Sequence, residues 1–109
     1  MPTENVIAEI AAERKRQMEV EGWTLEHDDE HNDGSLARAA SCYADPDPQM
    51  VTDGWPGGQK PRPVRWPLSW GFGWWKPKDR RRDLIRAAAL IVAEIERLDR
   101  RKSSEIDNG

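Results

Sequence analysis

The chain has 109 residues, 37% of them apolar, a net charge of −3 and a single cysteine. One domain with so balanced a charge excludes a general nucleic-acid or membrane-surface binder, which would be basic. No apolar run approaches a membrane span and no apolar signal segment opens the chain, so the expected compartment is the cytoplasm, with Cys42 a reduced, buried structural thiol.

Residues 3–21 are predicted to form a helix, capped by Thr3 and stopped by Gly22. On a helical wheel Val6, Ile7, Ile10, Ala11 and Met18 form its apolar face, while Glu13, Arg14 and Gln17 project into or beside the same arc. A stripe that begins apolar and turns polar suits a helix whose far end lines a polar pocket. Residues 21–34 then hold both histidines, His27 and His31, and six carboxylates. On a helix the histidines would share a face, and with Asp28 and Asp29 they offer metal ligands. The alternative is a turn at His27–Asp28, with the following acids serving the next helix's N-terminus.

Residues 33–44 are predicted to be a second helix, capped by Asn32 or Asp33, with Leu36, Ala39, Ala40 and Tyr43 buried. Asp45-Pro46-Asp47-Pro48 ends it, because a residue before proline is pushed out of the α region. Residues 45–78 carry seven of the eight prolines, five of the eight glycines and five of the six tryptophans. No alternation there supports a strand. The first half reads as mobile, and Trp66–Pro77 as packed onto the helices.

Residues 79–101 carry the strongest helical pattern, with Leu84, Ala87, Ala88, Ile91, Ile95 and Leu98 as its stripe and Ile85 and Val92 widening it. Residues 102–109 read as a frayed tail. The fold class is therefore all-α: a small bundle of three main helices with a long Pro/Gly/Trp-rich irregular segment. So few apolar residues predict a homo-oligomer that shares a helical core.

Glu94 lies at the edge of the last helix's apolar arc, with Asp83 close to the same stripe. A half-buried carboxylate there needs a cation, such as Arg14, or a metal. Lys76, Lys78, Arg80, Arg81 and Arg82 gather at that helix's N-terminus, as a phosphate site or as charges balanced by the acids of the first helix. Trp23, Trp74 and Trp75 are stacking surfaces for a base, or core packing.

The order Glu13-Arg14-x-Arg16-Gln17, Glu21-Gly22-Trp23-Thr24, His27-Asp28-Asp29-x-His31, Gly34-x-Leu36-Ala37-x-Ala39-Ala40, Trp74-Trp75-Lys76-Pro77 and Arg81-Arg82-Asp83-Leu84 through Ala93-Glu94-Ile95-Glu96-Arg97 resembles a small, mostly uncharacterised family common in phages and prophages. More remotely the chain is similar to the all-α MazG-like nucleoside triphosphate pyrophosphohydrolases of the phage dATP/dGTP type. Arg16-Gln17, Gly22-Trp23, His31 and the Asp83-to-Glu96 helix carry that likeness. The chain departs from the pattern where Ser35 and Arg86 stand at positions expected to be acidic.

The resemblance implies cleavage of a (deoxy)nucleoside triphosphate to the monophosphate and pyrophosphate. Glu13 and Glu94 would be catalytic, and His27, Asp28, His31 and Asp83 would help hold Mg²⁺ or Mn²⁺. Lys76, Arg81 and Arg82 would bind the phosphates, Trp23 or Trp75 would stack the base, and Arg16 and Gln17 would also contact the ligand. The missing carboxylates favour a second expectation, a non-catalytic binder of a nucleotide or nucleotide-derived signal. A third is a helical module whose tryptophan-rich segment grips a protein.

Overall fold

In the computed structural model, which describes residues 1–30, 33–51, 61–67, 69–70 and 74–108, helix α1 spans Pro2–Glu19. Proline suits the first turn, where its missing N–H would be unpaired anyway. The helix closes with the Val20 N–H on the Arg16 carbonyl at 2.7 Å, and the Trp23 N–H reaches back to the Gln17 carbonyl at 3.0 Å. Gly22 makes this turn at φ +77°, which a side chain would resist, and the turn delivers Trp23 into the core.

Of the two readings of His27–Asp28, a helix and a turn, the structure has a short helix, α2, Leu25–Glu30. Thr24 starts it: its hydroxyl accepts the His27 N–H at 3.2 Å and its carbonyl accepts the Asp28 N–H at 2.9 Å. Helix α3 spans Ser35–Ala44 and buries Leu36, Ala39, Ala40 and Tyr43 as predicted, with Cys42 beside them. Asp33 accepts the Ser35 N–H at 3.0 Å, and the extended Asp45 before Pro46 ends the helix.

The irregular segment holds a two-residue ladder that the sequence did not signal. Strand β1, Met50–Val51, pairs antiparallel with β2, Arg62–Pro63, setting Met50 opposite Pro63. Residues 52–60 lie outside the described residues, and with them most of the half read as mobile. In the second half the packing holds for Trp66, Trp70 and Trp75, while residues 68 and 71–73 lie outside the described residues. Trp66, Trp70, Trp75 and Tyr43 form a cluster in which Trp66 meets Tyr43 at 5.8 Å, Trp70 at 5.5 Å and Trp75 at 5.4 Å, each near edge-to-face. The Tyr43 hydroxyl donates to the Trp74 carbonyl at 3.0 Å and accepts the Lys76 N–H at 3.1 Å, fastening the segment to α3.

Helix α4 spans Arg80–Asn108. Asp79 caps it through the Arg82 N–H at 2.8 Å, and Asp83 accepts the Lys78 N–H at 2.8 Å. The expected end near 101 is too early, since no glycine or proline interrupts the chain before Gly109. Among the described residues no helix is long and apolar enough to cross a membrane.

α4 packs against α3, α1 and α2, so the fold is an all-α bundle with α4 as its spine. Its inner face keeps Ile85 and Ala87 of the predicted arc but not the large residues of the stripe. Ile85, Ala87, Ala89, Leu90 and Ala93 are buried, whereas Leu84, Ile91, Ile95 and Leu98 are exposed. Small side chains let the neighbouring helices approach closely, which leaves the large ones outside. α1 is corrected in the same sense. Its buried residues are Glu13, Arg14 and Gln17, and its apolar N-terminal half is open, with Val6 40% and Ile7 59% exposed.

Candidate functional site

The polar half of α1 lies against the N-terminal end of α4, and its carboxylates meet the cations there. Glu13 is 2% exposed. Arg16 grips it with two parallel bonds, Nε to Oε1 at 2.8 Å and Nη2 to Oε2 at 2.9 Å. Arg82 donates to the same Oε1, and Gln17 to Oε2 at 3.1 Å. Arg16 also reaches Glu21 at 3.1 Å, and Lys76 stands 3.5 Å from the other Glu21 oxygen. On the outer edge Arg81 holds Glu9 with bonds of 2.7 and 2.8 Å.

Of these, Glu9, Glu13, Arg16 and Arg82 line, with Ala12, a shallow cleft of about 210 Å³. Arg82, Glu13, Arg16, Glu21 and Lys76 thus form one chain of ion pairs beside the Arg81–Glu9 pair, and Lys78 and Arg80, next in sequence, have no ion pair among the described residues. Sequence reasoning missed Glu21. Its signal was its position one turn beyond Arg16, just before the glycine that ends the helix.

Burial raises the Glu13 carboxyl, but the hydrogen bond and charge of Arg16, with Arg82 and Gln17, more than reverse this and leave it below its ordinary value. The Arg16 guanidinium is held further into its charged form, chiefly by its bond to Glu13. Glu13 therefore stabilises the fold fully above the ordinary glutamate value of 4.5, and that contribution disappears as pH falls through its lower folded value. Asp28 works in the opposite sense. Burial lifts its carboxyl above 3.8, so its contribution is complete below that value and is lost as pH rises through the raised one. Urea midpoints followed by circular dichroism between about pH 7 and pH 3 are expected to fall on the acid side, and Glu13→Gln is expected to flatten the fall.

A second cluster lies further along α4. Glu13 and Arg14 are neighbours on α1, yet Glu13 meets Arg82 whereas Arg14 meets Glu96 at 3.2 Å. Those α4 positions are separated by roughly 21 Å of helix rise. Arg14 also binds the fully buried Asp28 at 2.7 Å, with His27 Nδ1 3.6 Å from the other Asp28 oxygen. Arg100 and Asp29 close the outer edge at 2.8 Å.

The residues expected to share metal ions are thus dispersed. Glu94 bonds Arg97 at 2.5 Å, in place of the expected Arg14. Asp83 caps the backbone of Lys78, and His31 lies outside the described residues. Among the described residues no three His, Cys, Asp or Glu side chains are grouped to hold a metal. Glu13 and Asp28 already bond arginines, so these carboxylates as placed do not fit a resident Mg²⁺ or Mn²⁺.

Trp23 and Trp75, expected to stack a base, are both buried: Trp23 lies against Trp70 at 5.2 Å and Trp75 against Tyr43 at 4.7 Å. Trp74 is the more accessible ring, with the Lys76 ammonium 5.2 Å from its centroid. Lys76 therefore stands between this ring and Glu21, which Arg16 also holds.

No family model, no curated protein and no solved structure matches this chain.

The two positions that depart from the pyrophosphohydrolase pattern have structural roles here. Ser35 is fully buried at the start of α3. Arg86 is buried too, donates to the Lys76 carbonyl and lies 5.7 Å from the Tyr43 ring, so it ties the irregular segment to α4.

Proposed function

We propose that the chain is a nucleotide-binding protein that takes the phosphates of a nucleoside triphosphate, or of a related signal, in the cleft between α1 and α4. The observation that carries this reading is that Arg16 and Arg82 line one cleft, with Arg81 paired to Glu9 of its wall and Lys76 linked to Arg16 through Glu21. Phosphate oxygens would compete with Glu9 and Glu21 for these donors, and Lys78 and Arg80 would add attraction. The base would lie on Trp74, where Lys76 already faces the ring. A metal would arrive with the phosphates. The reading is of a binder rather than a hydrolase because Glu13, the best-placed carboxylate, is committed to two arginines.

Incubation with a deoxynucleotide panel and Mg²⁺ is expected to raise the melting temperature without releasing pyrophosphate. Ligand at about 100 times its Kd would add about 2.7 kcal/mol. Arg81→Ala is the informative variant, because the exposed Arg81–Glu9 pair contributes little to stability. It is expected to melt as the parent does and to bind nucleotide about tenfold or more weakly. Pyrophosphate release would return the hydrolase reading, and no shift with any nucleotide would remove both.

A further inference from the structure

A hollow of about 470 Å³ opens where the start of α3 meets the segment that follows β2. It shares no lining residue with the cleft between α1 and α4. Its apolar wall is made by Val64, Trp66 and Pro67, and its charged groups are Asp33, Arg38 and Arg65. Its size is that of an ordinary small-molecule site, and so is the pairing of an apolar wall with a few polar groups.

The wall is fixed from behind. Trp66 is buried against Tyr43, Trp70 and Trp75. The Trp66 N–H donates to the Pro63 carbonyl at 3.0 Å, and the Trp70 N–H to the Pro67 carbonyl at 3.1 Å. Val64 is tied to the Gln49 carbonyl through its N–H at 2.8 Å, yet its side chain is half exposed. A ligand therefore meets an apolar surface that is already ordered, which spares it the entropy of fixing a loop.

The charges select what such a ligand carries. Ser35 holds the Asp33 carboxyl below its ordinary value, so Asp33 is ionised at neutral pH. Arg38 leans on Asp33, with Nη1 donating to its carbonyl at 3.0 Å and Nη2 3.9 Å from its carboxylate. Arg65 is exposed and makes no ion pair among the described residues. Two guanidinium groups against one carboxylate leave one positive charge uncompensated beside an apolar wall. A guanidinium takes a carboxylate through two parallel N–H bonds, whereas a second negative charge on the ligand would be repelled by Asp33. We propose that this hollow binds a small monocarboxylate, its apolar body on Val64, Trp66 and Pro67 and its carboxylate on Arg65, with Arg38 beside it. This site does not depend on the α1–α4 cleft holding a nucleotide.

Isothermal titration calorimetry of the full chain with phenylacetate tests the proposal. One saturable site with a Kd on the order of 1 mM or tighter is expected for so small a ligand. Phenylacetamide, which keeps the ring and loses the charge, and acetate, which keeps the charge and loses the ring, are each expected to bind at least about tenfold more weakly. Phenyl phosphate, a dianion near neutral pH, is expected to bind more weakly too. Arg65→Ala is expected to weaken phenylacetate at least about tenfold while melting as the parent does, because the side chain is exposed and unpaired. No saturable heat with phenylacetate up to about 20 mM, equal affinity for phenylacetamide, tighter binding of phenyl phosphate, or an Arg65→Ala variant that binds as the parent does would each overturn the proposal.

Discussion

Replacing Arg14 with methionine is expected to destabilise the chain by about 3–5 kcal/mol at neutral pH, one of the two largest single-residue effects in the molecule. Arg14 is the cation within hydrogen-bond reach of Asp28, at 2.7 Å, and Asp28 has no exposed surface. Removing it leaves a buried carboxylate without its counter-charge. Burial already lifts the Asp28 carboxyl, and Arg14 is the first of the groups that pull it down. The variant's Asp28 is therefore protonated more easily, and its deficit is expected to shrink as pH falls through the raised folded value. The paired replacement Arg14→Met with Asp28→Leu removes both charges and is expected to recover most of the loss. Urea midpoints of parent, both single variants and the double variant form the cycle that checks this.

Trp66→Ala is expected to cost about 3–5 kcal/mol as well, for a different reason. The ring is 2% exposed and meets Tyr43, Trp70 and Trp75 within 5.8 Å, so truncation opens a cavity at the centre of the aromatic cluster. Three rings lose their edge-to-face partner at once. A domain of this size is held by about 5–15 kcal/mol in all, so the midpoint falls steeply while the denaturant slope stays unchanged. Trp66→Phe keeps an aromatic ring in place and is expected to lose clearly less. Equal losses for the two variants would mean that the indole's full size, rather than an aromatic contact, is what the site requires.

The aromatic cluster and α3 were legible in the sequence because each answers to one local rule. The α3 stripe has a single face, and tryptophans so dense in a polar chain have few places to go but the interior. α4 was legible as a helix but not in its orientation. Periodicity ranks large apolar residues first, so Leu84, Ile91 and Ile95 were read as core. The alanines at 89 and 93 are inside because two helices must approach there.

α1 misled for a related reason. The wheel places Val6, Ile10, Glu13 and Gln17 on neighbouring arcs, but which length of that face meets α4 is a tertiary fact. It is the polar length that does so.

The candidate site was legible as a cation cluster that the acids of α1 could balance. It was not legible as a metal centre. Glu94 and Glu96 point to different sides of α4, and only Glu96 can reach Arg14. Asp83 serves a cap that depends on where the helix begins. The short α2 stayed one of two readings because an acidic six-residue helix has no apolar period to decide it.

The central claim is that one cationic cleft and one accessible tryptophan together bind a nucleotide. A tryptophan-fluorescence titration of the full chain with a nucleoside triphosphate, run beside inorganic triphosphate, tests it most directly. The expected result is saturable quenching by the nucleotide, weaker binding of inorganic triphosphate with little quenching, and loss of nucleotide affinity in Arg81→Ala. A flat response to every nucleotide up to millimolar concentration, with the chain folded, would contradict it.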